Sequence, residues 1–328
     1  MTTEVLPRGF LVRPATMDDV EAVSELVQRC ERAEYGRAET TLEDISTRWH
    51  DPDCNLATDT WIVCSSEGQV VGFSRVWDRE HVRIYTSGEV HPDYRGHGIG
   101  TYLLNAVEIR AQQHLSQAIP GARITLNSGV SSQNVVAQRL LEQHQFKLIR
   151  HSWRMAIEMN EAPPVPEWAE GITVRTVTPD MARAVFEADN EAFKDHWGYL
   201  PSTFEEWQYW MVNREQYDPT LWFLAMDGDE IAGISLCKDE RELGGWVDTL
   251  GVRRPWRRKG IGLTLLHHTF GEFYRRGIYN VSLAVDAQSL TGATRLYERA
   301  GMHVVRQYND YEKELRAGKE LSTQSVEE

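Results

Sequence analysis

Cysteine is scarce in this 328-residue chain. Cys30, Cys54, Cys64 and Cys237 are the only four, and none of them stands at CxxC spacing or in a Cys/His ligand pattern. A zinc site or a disulfide framework therefore has little support, buried thiols are the expected state, and no metal is expected. Long apolar runs are missing too. Nothing approaches the ~18 residues of a membrane span, and no apolar stretch with a basic flank stands at the N-terminus. The expectation is a soluble cytoplasmic protein with no membrane partner. Positive charge is the minority: 35 Lys plus Arg face 49 Asp plus Glu, for a formal charge of -14. Such a surface repels nucleic acid except at locally basic spots, so no nucleic-acid partner is expected.

Two of those basic spots are copies of one another. Arg95-Gly96-His97-Gly98-Ile99-Gly100 returns as Arg257-Arg258-Lys259-Gly260-Ile261-Gly262. The step from 95 to 257 is 162 positions, and it also superposes Val12-Arg13 on Val174-Arg175, Thr16 on Thr178 and Asp18 on Asp180. Two divergent copies of a domain of about 160 residues follow, each large enough to bury its own core.

The pattern along each copy is the same. In the first, a strand at Phe10–Arg13 leads into a helix through Val20, Val23, Leu26 and Val27. A hairpin from Trp61 to Val76 and a strand at Ile84–Val90 come before the glycine loop. A helix over Thr101–Gln113, a strand from Arg123 and a helix over Gln133–Gln143 follow it. The segment 160–171, with Pro163, Pro164 and Pro166, has no periodicity and is placed as the linker. After it the order restarts: strand at Ile172, helix to Phe193, hairpin over Trp222–Cys237, strand at Gly245–Val252, loop, helix, strand, helix. The domains are therefore set at 1–159 and 172–315, with a polar flexible tail over 316–328. The fold class is α/β of the α+β kind.

Alternate glycines let a backbone approach a ligand closely, and a helix starting there aims unpaired amides and partial positive charge at it. Phosphate is the natural guest, and the arginine beginning each loop adds a fork for phosphate oxygens. Neither loop ends in the Lys-Ser/Thr of a P-loop, and the glycine spacing is not that of a dinucleotide-binding turn. A different phosphate-bearing cofactor is called for.

Arg-x-x-Gly-x-Gly after an apolar strand resembles the loop with which the GCN5-related N-acetyltransferase (GNAT) family holds the pyrophosphate of acetyl-CoA. Both loops match it, and the resemblance runs from about Phe10 to Tyr311. Ala293-Thr294-Arg295-Leu296-Tyr297-Glu298-Arg299-Ala300-Gly301-Met302 is similar to the family's late helix and turn. The tandem arrangement, with Asp189-Asn190-Glu191-Ala192-Phe193 early in the second half, resembles two-domain members of the mycothiol synthase group. The resemblance implies tandem domains, each with a mixed, mostly antiparallel sheet flanked by helices, and acetyl-CoA as cofactor. It also implies a strand splayed from its neighbour, with backbone groups free to pair with the pantetheine amides.

Carried onto this chain, the cofactor residues in the second half are Leu250, Gly251, Val252, Arg257, Arg258, Lys259, Gly260, Ile261, Gly262, Leu263 and Ser289. In the first half they are Val90, Arg95, Gly96, His97, Gly98, Ile99, Gly100 and Asn134. For Asn134 and Ser289 the plainer reading is a helix N-cap. The resemblance makes Tyr297 the general acid. The first half has Leu141 at that place and Gln145 where Gly301 stands, so chemistry is assigned to the second half and the first is taken as a degenerate copy. By strand alternation Asp248 is the expected base, with Val247 and Thr249 facing away from it, and Glu89 is its counterpart in the first half.

An acceptor pocket is expected among Asp189, Glu191, Asp195, His196, Trp197, Tyr199, Trp207, Tyr209 and Trp210, with Phe193 beside them. Carboxylates and aromatics together suit a cationic amine on an apolar body. The expected activity is acetyl transfer to a primary amine of a small molecule by direct attack in a ternary complex. The alternatives are a CoA-binding module without turnover and a protein N-acetyltransferase. A monomer is favoured over a dimer.

Overall fold

The computed structural model describes residues 6–79 and 81–325. By contact it divides into two compact units: residues up to Arg150 with Tyr308–Leu321, and His151–Gln307 with the residues from Ser322. In chain order the first half runs β1 (Phe10–Arg13), α1 (Val20–Tyr35), α2 (Leu42–Trp49), α3 (Leu56–Asp59), β2 (Thr60–Ser65), β3 (Val70–Arg79), β4 (Arg83–Val90), α4 (Ile99–His114), β5 (Ile124–Ser131) and α5 (Val135–Gln143). Then come β6 (Lys147–Glu158), β7 (Ile172–Thr176), α6 (Ala182–Phe193), α7 (Phe204–Met211), β8 (Trp222–Asp227), β9 (Glu230–Asp239), β10 (Gly245–Val252), α8 (Ile261–Arg275), β11 (Asn280–Asp286), α9 (Ala293–Arg299) and β12 (His303–Arg316). Residues 160–171 carry neither helix nor strand.

In the first unit β1 to β4 form an antiparallel meander, and β4 pairs β5 in parallel. Val23, Leu26 and Cys30 of α1 recur at helical spacing and pack with Ile45, Trp49, Ile62 and Phe73 on one face of the sheet. Val107 and Ala111 of α4 close the other face over Ile84, Ile124 and Leu126. The second unit repeats this. Val185, Phe186 and Ala188 of α6 cover one face with Trp207 and Trp222, while Leu265, Leu266, Phe270 and Phe273 of α8 cover the other with Val247 and Leu283. Helix starts follow local chemistry: Thr41 and Thr203 accept from Asp44 and Glu206 backbone N–H groups, whose carboxylates accept in return from the threonine N–H.

Each sheet is completed by an end strand from the other half of the chain. Tyr308–Arg316 of β12 pairs antiparallel with β5, and Ser152–Glu158 of β6 pairs antiparallel with β11. Neither β6 nor β12 is foreseen by sequence patterning, and the unit boundary falls at Arg150/His151 instead of at the prolines. Tyr311 is 2% exposed and donates its hydroxyl hydrogen to Glu142, while Arg123 binds Glu312 and Glu314. The last described residues are also tied down. Lys319 N–H donates to Gly121, and Gly198 and Tyr199 exchange backbone hydrogen bonds with Thr323.

Candidate active site

The two glycine loops have the same backbone. Gly96 and Gly98 take φ 82° and 81°, and their counterparts Arg258 and Gly260 take φ 64° and 81°. Gly98 and Gly260 cap α4 and α8, and the amides of the first two residues of each helix precede any i−4 carbonyl of that helix. A Cβ placed on Gly96 or Gly260 would meet nothing within 4 Å, so the loop backbone lies open. The third glycine does different work. A Cβ on Gly100 would come 3.2 Å from Leu140, and one on Gly262 would come 3.0 Å from Leu296, so these glycines let the late helix pack close. Ile99 and Ile261 are buried in the cores beneath. His97 Nδ1 lies 3.2 Å from the Tyr94 carbonyl, and Lys259 sits at the exposed turn.

Beside each loop two parallel strands part. β4 pairs β5 only over Arg83–Thr86, and β10 pairs β11 only over Gly245–Val247. Ser87–Val90 and Asp248–Val252 therefore turn an edge towards the gap, a backbone row able to bind an extended amide ligand. In the first unit a cavity of about 140 Å³ occupies this place, lined among others by Gly88, Glu89, Val90, Arg95, Asn134 and Leu141. In the second, Leu250 and Val252 pack towards the α8 core, and Gly251 turns to α6, where a Cβ would stand 2.8 Å from the Ala192 Cβ. Leu263 packs on the same core. Open loop amides next to a parted strand pair fit a diphosphate joined to an amide-bearing arm.

The arginine beginning each loop is engaged within the protein. Arg95 donates to Glu34 at 2.9 Å and to the Val90 carbonyl. Arg257 donates to the Val252 carbonyl at 3.0 Å, to the Ala192 carbonyl and to Asp195. Both guanidiniums tie the loop to the first helix of their unit or the residues just after it. Asp195, 1% exposed, also binds Arg254, and these two arginines hold its carboxyl down at about 2. No local pattern announces this clamp, because its partners lie about 60 positions downstream.

Asn134 is the N-cap of α5, accepting from Ala137 N–H at 3.0 Å while its amide donates to Glu34. Ser289 is not a cap, since Gly292 holds that position on α9, although its Oγ accepts from Ala293 N–H at 3.3 Å.

Leu140 packs on Gly100 as Leu296 packs on Gly262, which puts Leu141 and Tyr297 at matching positions. Tyr297 is 7% exposed, its hydroxyl makes no hydrogen bond among the described residues, and burial pushes its phenol up to about 12. Gln145 takes φ 67° where Gly301 takes φ 90°.

Asp248 requires a correction. The register of β10 on β9 shifts between Val247 and Thr249, so Asp248 is the extra residue of a bulge and strict alternation fails there. β4 keeps an unbroken register on β3, so Asp248 has no counterpart in the first unit, and the loop offset matches Glu89 to Gly251. The Asp248 carboxylate lies 2.6 Å from Arg214, a partner absent from the sequence reading. Glu89 sits near Cys30, Glu34 and Arg95, and burial followed by Glu34 pushes its carboxyl up to about 7.

Of the residues expected around an acceptor, the Phe193 and His196 rings pack against each other at a tilt of 51°, centroids 4.1 Å apart, beside β10, the Phe193 ring lying 3.3 Å from a Cβ placed on Gly251. Burial, then Arg257, lowers the pKa of the His196 imidazole. The others are engaged elsewhere. Asp189 accepts from Trp207 Nε1 at 2.9 Å, and burial raises its carboxyl to about 6. Glu191 pairs with Arg253 at 2.6 Å, and Trp197 donates to Gln324. Trp207 is core, and Tyr209 and Trp210 pack edge-on to each other.

Comparison with known proteins agrees with this geometry. Residues 20–146 and 182–302 match the acetyltransferase (GNAT) family. A mycothiol acetyltransferase of Thermobispora bispora is 31% identical over 227 residues, covering 66% of this chain and 72% of that protein. One from Catenulispora acidiphila is 26% identical over 307 residues, covering 89% and 94%. The crystal structure of a GCN5-related N-acetyltransferase from Sphaerobacter thermophilus is 39% identical, with a TM-score of 0.85 over 98% of this chain and 100% of that one. A tandem GNAT protein from the clavulanic acid biosynthesis pathway, 17% identical, shares the fold with a TM-score of 0.72 over 94% and 100%. The chain therefore belongs to the acetyltransferase (GNAT) family, carries two such units in tandem, and is an N-acetyltransferase that uses acetyl-CoA.

Proposed function

We propose that the C-terminal unit transfers the acetyl group to a primary amine of a small molecule, with Tyr297 as general acid, and that the N-terminal unit lacks this step. The observation carrying the proposal is the buried, unbonded phenol of Tyr297 on α9, matched in the other unit by Leu141. Acetyl-CoA supplies an acetyl thioester whose sulfur must leave with a proton.

In this reading the loop amides of Arg258 to Gly262 and the start of α8 hold the diphosphate, and the free edge of Thr249–Val252 holds the amide-bearing arm. Tyr297 stays protonated at neutral pH, because its surroundings disfavour the phenolate, and it donates to the departing sulfur. Phe193 and His196 form the apolar wall against which the amine is oriented. His196 is uncharged there, since its pKa is lowered, so it does not repel a protonated guest. Asp248, fixed by Arg214, is the carboxylate proposed to take the amine proton, directly or through water. The relatives at about 30% identity are mycothiol acetyltransferases, so their acceptor heads the list to be tried.

The test is thiol release by wild type and Tyr297→Phe on a panel containing that acceptor, other small primary amines and lysine peptides. Turnover of a small amine, reduced about 100-fold in the variant with acetyl-CoA binding retained, supports the proposal. Equal turnover in both proteins removes Tyr297 from the chemistry. Turnover of peptides alone replaces a small amine with protein as acceptor.

A further inference from the structure

The offset that superposes the two glycine loops also sets Arg29 on Glu191 and His91 on Arg253. The packing agrees, since Val23 of α1 and Val185 of α6 hold matching places and both are fully buried. In the second unit the two residues form an ion pair, with Arg253 Nε 2.6 Å from a Glu191 carboxylate oxygen. In the first unit the same two places hold a guanidinium and an imidazole instead.

His91 is 6% exposed. Its Nδ1 accepts from the Asp93 backbone N–H at 3.2 Å, which places the ring proton on Nε2. That N–H makes no hydrogen bond among the described residues. A buried donor left without an acceptor is costly, and such a group calls for a partner. Arg29 makes no ion pair or hydrogen bond among the described residues either. Arg32, on the next turn of α1, donates to the neutral Gln28 side chain at 3.1 Å and meets no carboxylate among the described residues. All three side chains therefore offer protons, and none can satisfy another.

These groups meet in one place. A cavity of about 530 Å³ between α1 and the turn after β4 is lined by Arg29, Arg32 and His91, with Glu25 and Asp93 also on its wall. It shares no lining residue with the cavity beside the first glycine loop. Both carboxylates belong to exposed residues, and Asp93 approaches the histidine at Nδ1, 3.9 Å away, rather than at the free N–H. Charges kept in water are screened and oppose an anion weakly. Where the second unit supplies a carboxylate from its own chain, the first unit has an arginine and a cavity.

We propose that this cavity of the N-terminal unit binds the carboxylate of a small molecule between Arg29 and His91, as the Glu191 carboxylate is held by Arg253 in the other unit. His91 Nε2 donates one hydrogen bond, the Arg29 fork supplies paired donors, and Arg32 adds positive charge beside them. The cavity is larger than a carboxylate alone, so it has room for the body that carries one. The site lies in the other unit from acetyl transfer and stands whichever amine is acetylated there.

The test is calorimetric titration of the full chain with acetate, succinate and citrate at fixed ionic strength. Acetamide, which has the shape without the charge, and chloride, which has the charge without two oxygens, are the controls. The expected result is saturable binding of at least one carboxylate, at least tenfold tighter than both controls. Arg29→Gln should weaken it at least tenfold, and Arg29→Glu, which installs the residue of the other unit, should abolish it. Arg29 is exposed on α1, so both variants keep the fold. Absence of binding by the whole series at ~10 mM overturns the proposal. So does binding that survives unchanged in the Arg29→Glu protein, because it then belongs to another part of the chain.

Discussion

Asp195 grips Arg257, the arginine that begins the second glycine loop, whose guanidinium also donates to the Val252 carbonyl. The pair ties the loop to the end of α6. Asp195→Asn leaves Arg254 and Arg257 without their shared anion, at a stability cost of about 2 kcal/mol. Acetyl-CoA affinity should fall about tenfold as the loop loosens. Calorimetric titration and thermal unfolding of the same variant check both effects. Because its carboxyl is held low, the contribution of Asp195 should be intact above its ordinary 3.8 and should disappear as pH falls through about 2.

Tyr297→Phe removes one oxygen that makes no hydrogen bond among the described residues. Stability should change by less than ~0.5 kcal/mol, while kcat falls by roughly two orders of magnitude. A matched pair of melting curves and progress curves separates a proton donor from a packing group.

Asp189 behaves in the opposite sense to Asp195. Its carboxyl is raised to about 6, so the folded chain binds the proton more tightly than the unfolded one. Its part in stability is therefore greatest below about 4 and is lost as pH rises to about 6. Asp189→Asn should stabilise the protein by about 2 kcal/mol at pH 8 and by nothing at pH 4. The acceptor KM should stay unchanged, because the carboxylate is turned to Trp207. Melting temperatures across pH, with steady-state kinetics, check this.

Gln145 occupies a left-handed backbone position that its counterpart fills with glycine. Gln145→Gly should raise stability by about 0.5–1 kcal/mol, as relief of side-chain strain exceeds the added freedom of the unfolded chain. Denaturant midpoints read this directly, and turnover should not move.

The parts of this structure that could be read from sequence are those whose cause is local. Gly96, Gly98 and Gly260 announce the loops because each answers a left-handed backbone position within a few residues of the helix start. Leu141 and Tyr297 can be aligned because a short helix carries them. What escaped reading depends on distant partners. Tyr308-Asn309-Asp310-Tyr311-Glu312-Lys313 has no apolar alternation, and its place in the sheet comes from Arg123, Glu108, Gln138 and Glu142, all far upstream. The bulge at Asp248 is a property of two strands together, so alternation along one strand misplaced its neighbours.

The exchanged end strands give the chain an order of maturation. While it is being synthesised, β5 must wait for Tyr308–Arg316, which emerges only after nearly all of the second unit has been made. β11, by contrast, finds Ser152–Glu158 already present when it appears. The C-terminal unit can close its sheet first, and the N-terminal unit, begun earlier, is finished last. A truncation before residue 308 would therefore strip a strand from the unit encoded at the opposite end of the gene.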